Sequence, residues 1–138
     1  GVNNLYQYNL QSHTLNQLNS QFQTLLPSLY SVFHVFYNEK IYIYGGDDGI
    51  SNSDKLYEVN LKHNKWTTLT PSEQIGGRCC GATILYQHSM VLFGGKFNSV
   101  LDSVVIIDLH TFNVTHSTAL IDEKRYDFDA TLYENKGV

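Results

Sequence analysis

Arg78 is followed directly by Cys79 and Cys80. A guanidinium beside a thiol can lower its pKa and make it reactive; small buried residues at a strand entrance are the plainer reading. Adjacent cysteines seldom bridge each other, because the peptide between them strains the ring. Two separate thiols are therefore expected, and thiols without a disulfide framework fit a reducing, cytoplasmic setting. The six histidines raise the question of a metal. His13, His63 and His110 all fall in turns at one end of the strands, but in different units of the chain. They are too far apart to reach one ion at about 2 Å. His34 lies on a strand, where a satisfied polar residue is the ordinary explanation. Asp122-Glu123 and Asp127/Asp129 are candidate carboxylate pairs, yet nothing places them around a cleft. Asp47-Asp48-Gly49 lacks the alternating oxygen ligands and closing Glu of a calcium loop. No catalytic residue, no metal site and no cofactor is assigned.

The elements that must position these residues come from a repeat. Residues 41–46 read Ile-Tyr-Ile-Tyr-Gly-Gly and residues 90–95 read Met-Val-Leu-Phe-Gly-Gly, so Gly45 and Gly94 are 49 residues apart. Leu56–Leu61 is echoed by Val104–Leu109, and Ser31–Tyr37 by Cys80–Tyr86. Three aligned blocks at one spacing indicate a repeat architecture. Residues 4–10 resemble the block after a doublet, and Phe128–Tyr133 resembles the block before one, so the chain opens and stops in mid-repeat. A piece of a longer protein, exposing an apolar sheet face at each end, is the expectation.

Strands are predicted at about 31–37, 40–46, 55–61 and 65–69, and again at 80–86, 89–95, 103–109 and 113–118. With segments at 4–10, 14–18 and 128–133 the count is about eleven. Asn38-Glu39 and His63-Asn64 supply tight turns. The connection Asp47–Asp54 is too short for a crossover helix, so neighbouring strands must be antiparallel. Phe22, Leu25 and Leu26 can anchor the connection 19–30 or form one helical turn. Ile41–Tyr44, Val91–Phe93 and Val104–Ile107 are unbroken apolar runs, which call for cover on both faces of each sheet. With no helix to supply it, the cover must be another sheet of the same kind. Four-stranded antiparallel sheets stacked radially are the blades of a β-propeller. The Thr-rich fourth strands, Lys65–Leu69 and Asn113–Ser117, suit an outer edge.

The residues resemble the kelch repeat: an apolar strand ending in Gly-Gly, a Tyr-containing strand, a spaced Trp, then Pro and Arg. The first repeat supplies Gly45-Gly46, Tyr57, Trp66, Pro71 and Arg78; in the second, Ile106 replaces the Tyr and Val114 the Trp, before Arg125. The resemblance implies an all-β, kelch-type propeller fragment of roughly two and a half repeats. Its parts are the end of one blade (4–18), two full blades (31–69 and 80–118) and the start of another (128–138). Tyr57 and Trp66 read as blade-packing residues.

In such a meander, loops 47–54 and 96–102 share one face with the inter-blade connections, and the tight turns occupy the other. The resemblance implies a protein or peptide partner on the loop face, through Asp47, Asp48, Ser51, Asn52, Arg78, Lys96, Asn98 and Arg125. Arg78 and Arg125 occupy the same place in successive repeats. They either grip a carboxylate-bearing partner or pair with Asp47 and Asp48. With net charge −4 and no basic run, nucleic acid is not an expected partner. No apolar stretch approaches the roughly 18 residues of a membrane span. Asn113-Val114-Thr115 matches a glycosylation triplet, but no signal peptide is visible. A non-catalytic interaction module, scaffold or substrate adaptor of a larger cytoplasmic protein is the expected role. The alternative is a fragment of a kelch enzyme, either a galactose-oxidase-like copper oxidase or a sugar epimerase.

Overall fold

The computed structural model describes residues 4–18, 22, 24, 26–119, 124–134, 136 and 137. Fourteen strands run in chain order. They are β1 (Tyr6–Asn9), β2 (Thr14–Gln17), β3 (Phe33–Tyr37), β4 (Lys40–Tyr44), β5 (Leu56–Asn60), β6 (Lys65–Leu69) and β7 (Ala82–Tyr86). Then come β8 (Ser89–Phe93), β9 (Lys96–Phe97), β10 (Ser99–Val100), β11 (Val104–Asp108), β12 (Val114–His116), β13 (Leu132–Tyr133) and β14 (Lys136–Gly137). There is no helix among the described residues. Two four-stranded antiparallel sheets, β3-β4-β5-β6 and β7-β8-β11-β12, are the two blades. Three strands exceed the expectation: β9 and β10 make a two-residue hairpin inside the second loop, and β14 pairs with β13. Asp122 and Glu123 lie outside the described residues, as does Leu25.

The turns show why the chain bends where it does. Asn38 and Glu39 both take positive φ, 50° and 61°, the geometry that a two-residue hairpin needs. After the third strand of each unit, a side-chain oxygen holds the turn. Asn9 Oδ1 accepts from Gln11 and Ser12, Asn60 Oδ1 from His63, and Asp108 Oδ1 from His110 and Thr111. Asn and Asp are the residues that make such turns, because their short side chains reach the backbone two or three residues on. Each turn closes on one left-handed residue, at His13, Asn64 and Phe112.

Pairing register corrects one alignment. Tyr44 lies opposite Leu56, and Phe93 lies opposite Val104. The counterpart of Tyr57 is therefore Val105, not Ile106, because the second loop is one residue shorter than the first.

The second strand of each blade also ends sooner than expected, at Tyr44 and Phe93, since both glycines of each doublet leave the sheet at positive φ. Gly46 N–H donates to Arg78 O, and Gly95 N–H to Arg125 O, each at 2.9 Å. Ser53 N–H returns to Gly46 O (2.8 Å) and Leu101 N–H to Gly95 O (2.9 Å). Each arginine then donates its own N–H to Ser53 O or Leu101 O, at 3.2 and 3.3 Å. The same bonds recur at both doublets.

The core lies between the blades. Phe33, Val35, Tyr42, Tyr44 and Leu56 from the first pack against Met90, Leu92, Val105, Ile107 and Leu109 from the second. Phe33 fills the space that Gly81 and Gly95 leave open. Trp66 is only half-buried; it meets Tyr57 edge-on at 5.5 Å and donates Nε1–H to Thr24 O at 3.3 Å. Its loss in Trp66→Ala is expected to cost about 1–3 kcal/mol, below the range for a fully buried ring, and a chemical melt will measure it.

A Cβ at Gly95 would meet Cys79 O at 2.6 Å, with φ at 96°. Gly95→Ala is expected to destabilise the protein by about 2 kcal/mol or more, whereas Gly49→Ala, with open space around it, should cost less. Equal losses would remove the doublet's special role.

Tyr44 and Tyr42 are both pushed up to about 12, chiefly by burial. Their folded-state pKa exceeds the unfolded one, so the protonated rings favour folding. That contribution is full below about pH 10 and is lost as pH rises toward 12. The melting temperature should fall across that window, and less steeply in Tyr44→Phe.

Candidate functional site

Loop residues 47–54 and 96–102 meet the connection 70–79 on one face of the blades. Asn52 Nδ2 donates to Lys96 O at 2.6 Å and lies 3.6 Å from Cys79 Sγ. Cys79 and Lys96 exchange backbone bonds (3.1 and 2.8 Å), and Gln74 reaches Asp54 at 3.2 Å. Between them opens a cleft of about 300 Å³ lined by Asp47, Asn52, Cys79, Cys80, Lys96, Asn98, Tyr126 and Asp127. Lys96 Nζ stands 5.5 Å from the Tyr126 ring centroid, within cation–π range.

The backbone beneath the cleft is a ladder of equivalents. Ser31, Cys80 and Asp127 occupy the same place in three successive units, and all have left-handed φ (54°, 66° and 54°). Cys80 N–H donates to Ser31 O at 3.0 Å, and Asp127 N–H to Cys80 O at 2.6 Å. Asp127 and Tyr126 were not singled out from sequence for this face. The signal was present, since Asp127 aligns with Cys80 immediately before an inner strand.

Of the eight residues expected on the partner face, four line this cleft: Asp47, Asn52, Lys96 and Asn98. Asp48 and Ser51 line a separate cleft with Asn52. Asp48 serves its own loop, with Oδ1 accepting from Ile50 and Ser51 at 2.8 Å each. The bonds from Ser51 and Ile50 hold its carboxyl below the usual range. Asp47 Oδ1 accepts from Gly49 at 2.7 Å, and its bond to Tyr30 raises the phenol's pKa.

Arg78 is not on the surface. It is only 6% exposed, and its guanidinium donates to Ser103 Oγ (2.9 Å) and to Gly94 O and Ile75 O (3.4 Å each). Burial lowers its pKa, and Nε has no partner. Asp47 and Asp48 do not pair with it. Arg125 is exposed, so the two arginines share a backbone role but not a side-chain environment.

Cys79 and Cys80, expected as separate thiols, are joined in a vicinal disulfide. The left-handed turn at Cys80 belongs to the repeat, as Ser31 and Asp127 show, and it brings adjacent side chains together. A disulfide sulfur is not a thiolate, so the reactive-thiol reading lapses. The cysteines likewise no longer argue for a reducing compartment.

The two blades and their doublets define a segment of a kelch-type β-propeller. The family model of the KLHDC2/KLHL20/DRC7 Kelch-repeats domain matches residues 1–137. The chain belongs to the kelch-repeat family, whose domains are generally protein-interaction modules. No curated protein matches it.

Arg78→Ala is expected to lower stability by about 3 kcal/mol, because it strips buried acceptors of a charged donor. Arg125→Ala should change the melting temperature little. Equal effects would contradict the inter-blade tie assigned to Arg78.

Proposed function

We propose that the cleft at the blade boundary receives a peptide segment of a protein partner. On this reading the chain serves as a non-catalytic recognition unit of a larger cytoplasmic scaffold or substrate adaptor. The observation that carries this is the lining itself. Loops of two successive blades converge on one opening with an amide at Asn98, an ammonium at Lys96 over an aromatic ring, and carboxylates at Asp47 and Asp127. Such a set orients a peptide by hydrogen bonds and charge.

Two carboxylates against one ammonium favour a segment carrying a basic side chain. The carboxylate-bearing partner inferred from paired arginines loses one of its two grips with Arg78 buried. The enzymatic alternative gains no support from a lining that contains no histidine and whose two cysteines are tied to each other.

The test uses a photo-crosslinking residue placed at Asn98 in the full-length protein, and separately at Asn64 in a turn between β5 and β6. A partner captured from Asn98 should be lost about tenfold in the double variant Asp47→Asn, Asp127→Asn, which keeps the turn acceptor and removes only charge. Capture from Asn64 alone, or capture unaffected by the double variant, would overturn the reading.

A further inference from the structure

At the other end of the second blade, two turns lie side by side. Ser89 pairs with Asp108, so His88, which precedes Ser89, meets the turn that Asp108 begins. Leu109 N–H donates to His88 O at 2.8 Å. His88 Nε2 stands 3.2 Å from Asp108 Oδ2, and its ring stacks on that of His110 with centroids 4.4 Å apart and planes within 4°. One donor atom from each of His88, Asp108 and His110 lies within 4.8 Å of the other two. The histidines grouped at this end on sequence grounds, His13, His63 and His110, sit in different units. The partner of His110 is a histidine from its own blade.

Two imidazoles and one carboxylate are a donor set that Zn²⁺ accepts, with water in the fourth position. Two ligands of a tetrahedral ion at about 2.1 Å lie about 3.4 Å apart. Because an imidazole coordinates in its own plane, the two parallel rings must tilt out of their stack to share one ion, and both reach solvent on the side where they would open. The carboxylate is already fixed: Oδ1 accepts from His110 N–H at 2.7 Å and Thr111 N–H at 3.0 Å, while Oδ2 faces His88. Partial desolvation raises the Asp108 pKa, but those backbone donors and His88 outweigh it and leave the group below its ordinary value.

Tyr37 ends β3 in the first blade, and its hydroxyl lies 2.6 Å from His110 Nε2. That contact occupies Nε2 and leaves Nδ1 for an ion. With Nδ1 coordinated, Nε2 carries the proton and donates to the Tyr37 oxygen, the arrangement that orients metal-bound imidazoles.

We propose that His88, Asp108 and His110 form a Zn²⁺ site on the turn face, with Tyr37 of the neighbouring blade as the positioning residue for His110. The ion ties the two turns of the second blade together and, through Tyr37, to the end of the first blade's inner strand.

Isothermal titration of Zn²⁺ into the full chain tests this, with the Cys79–Cys80 disulfide kept intact so that no thiolate competes. The expected result is one ion per chain and a melting temperature that rises with Zn²⁺. His88→Ala, His110→Ala and Asp108→Asn should each weaken binding at least tenfold and remove the thermal shift; Asp108→Asn retains the turn acceptor. Tyr37→Phe should weaken it about tenfold, the lower end of losses for an outer-shell partner. His63→Ala should leave it unchanged. Should an alanine variant melt early without metal, His88→Gln gives the same comparison with the side-chain bulk kept. Absence of binding by the wild-type chain, or binding that survives loss of His88 and His110, would overturn the proposal.

Discussion

One hydrogen bond sets the spacing of everything else: the second glycine of each doublet donates to the carbonyl of the arginine that opens the next blade. A connection between blades has no secondary structure to hold it, yet it must return the chain to the top of the next inner strand. The glycine N–H gives it a fixed landing point, at 2.9 Å in both repeats. Only glycine fits there, because φ is positive and a Cβ would meet Val32 Cγ1 at 2.6 Å from Gly46 or Cys79 O at 2.6 Å from Gly95. Arg78 or Arg125 then passes the chain to a residue in left-handed conformation, and the inner strand begins. A repeat of about 48 residues is therefore closed by backbone bonds, and the side chains around the junction are released for other uses.

Those other uses differ between the repeats. At the first junction Arg78 turns inward and spends its guanidinium on Gly94, Ser103 and Ile75, binding one blade to the next. The loops that flank the junction are thereby held on rigid supports. Asn52 can cross to Lys96 because Cys79 and Lys96 are already paired through their backbones. Side chains around the junction are thereby placed on a framework of backbone hydrogen bonds, with Lys96 of β9 among them.

Much of this was legible in the chain. Gly45-Gly46 and Gly94-Gly95, with matching blocks on either side, located eight strands to within two residues and implied blades stacked on blades. Periodicity speaks to backbone, which every repeat shares. It could not say where Arg78 points, because a guanidinium's direction depends on acceptors 16 and 25 residues further on. It could not pair Cys79 with Cys80, since the left-handed turn that permits the bond shows only when Ser31 and Asp127 are seen to share it. Nor did a list of turn histidines suggest His88 beside His110. That juxtaposition needs the register of β8 on β11, fixed by the length of the loop between them.

The same register explains why the second repeat departs from the kelch pattern without losing its fold. The face of the first blade that looks back along the chain carries Tyr57 and Trp66, edge to face, against a segment that offers Leu5, Leu26, Pro27 and Leu29 beside Ile43 and Val59. The equivalent face of the second blade looks onto Tyr42 and Tyr44, both buried, with Tyr44 also donating to Gly76 O at 2.6 Å. Three large rings, those of Phe33, Tyr42 and Tyr44, already fill that interface from the first blade's side. Interiors are packed to near-crystal density, and overpacking costs as surely as a void. Tyr and Trp at positions 105 and 114 would compete with Tyr42 and Tyr44 for one volume. Val105 and Val114 leave that volume to the tyrosines, with Ile107 completing the surface. The pattern that looks degraded when each repeat is read alone is thus matched to the rings it faces across the interface.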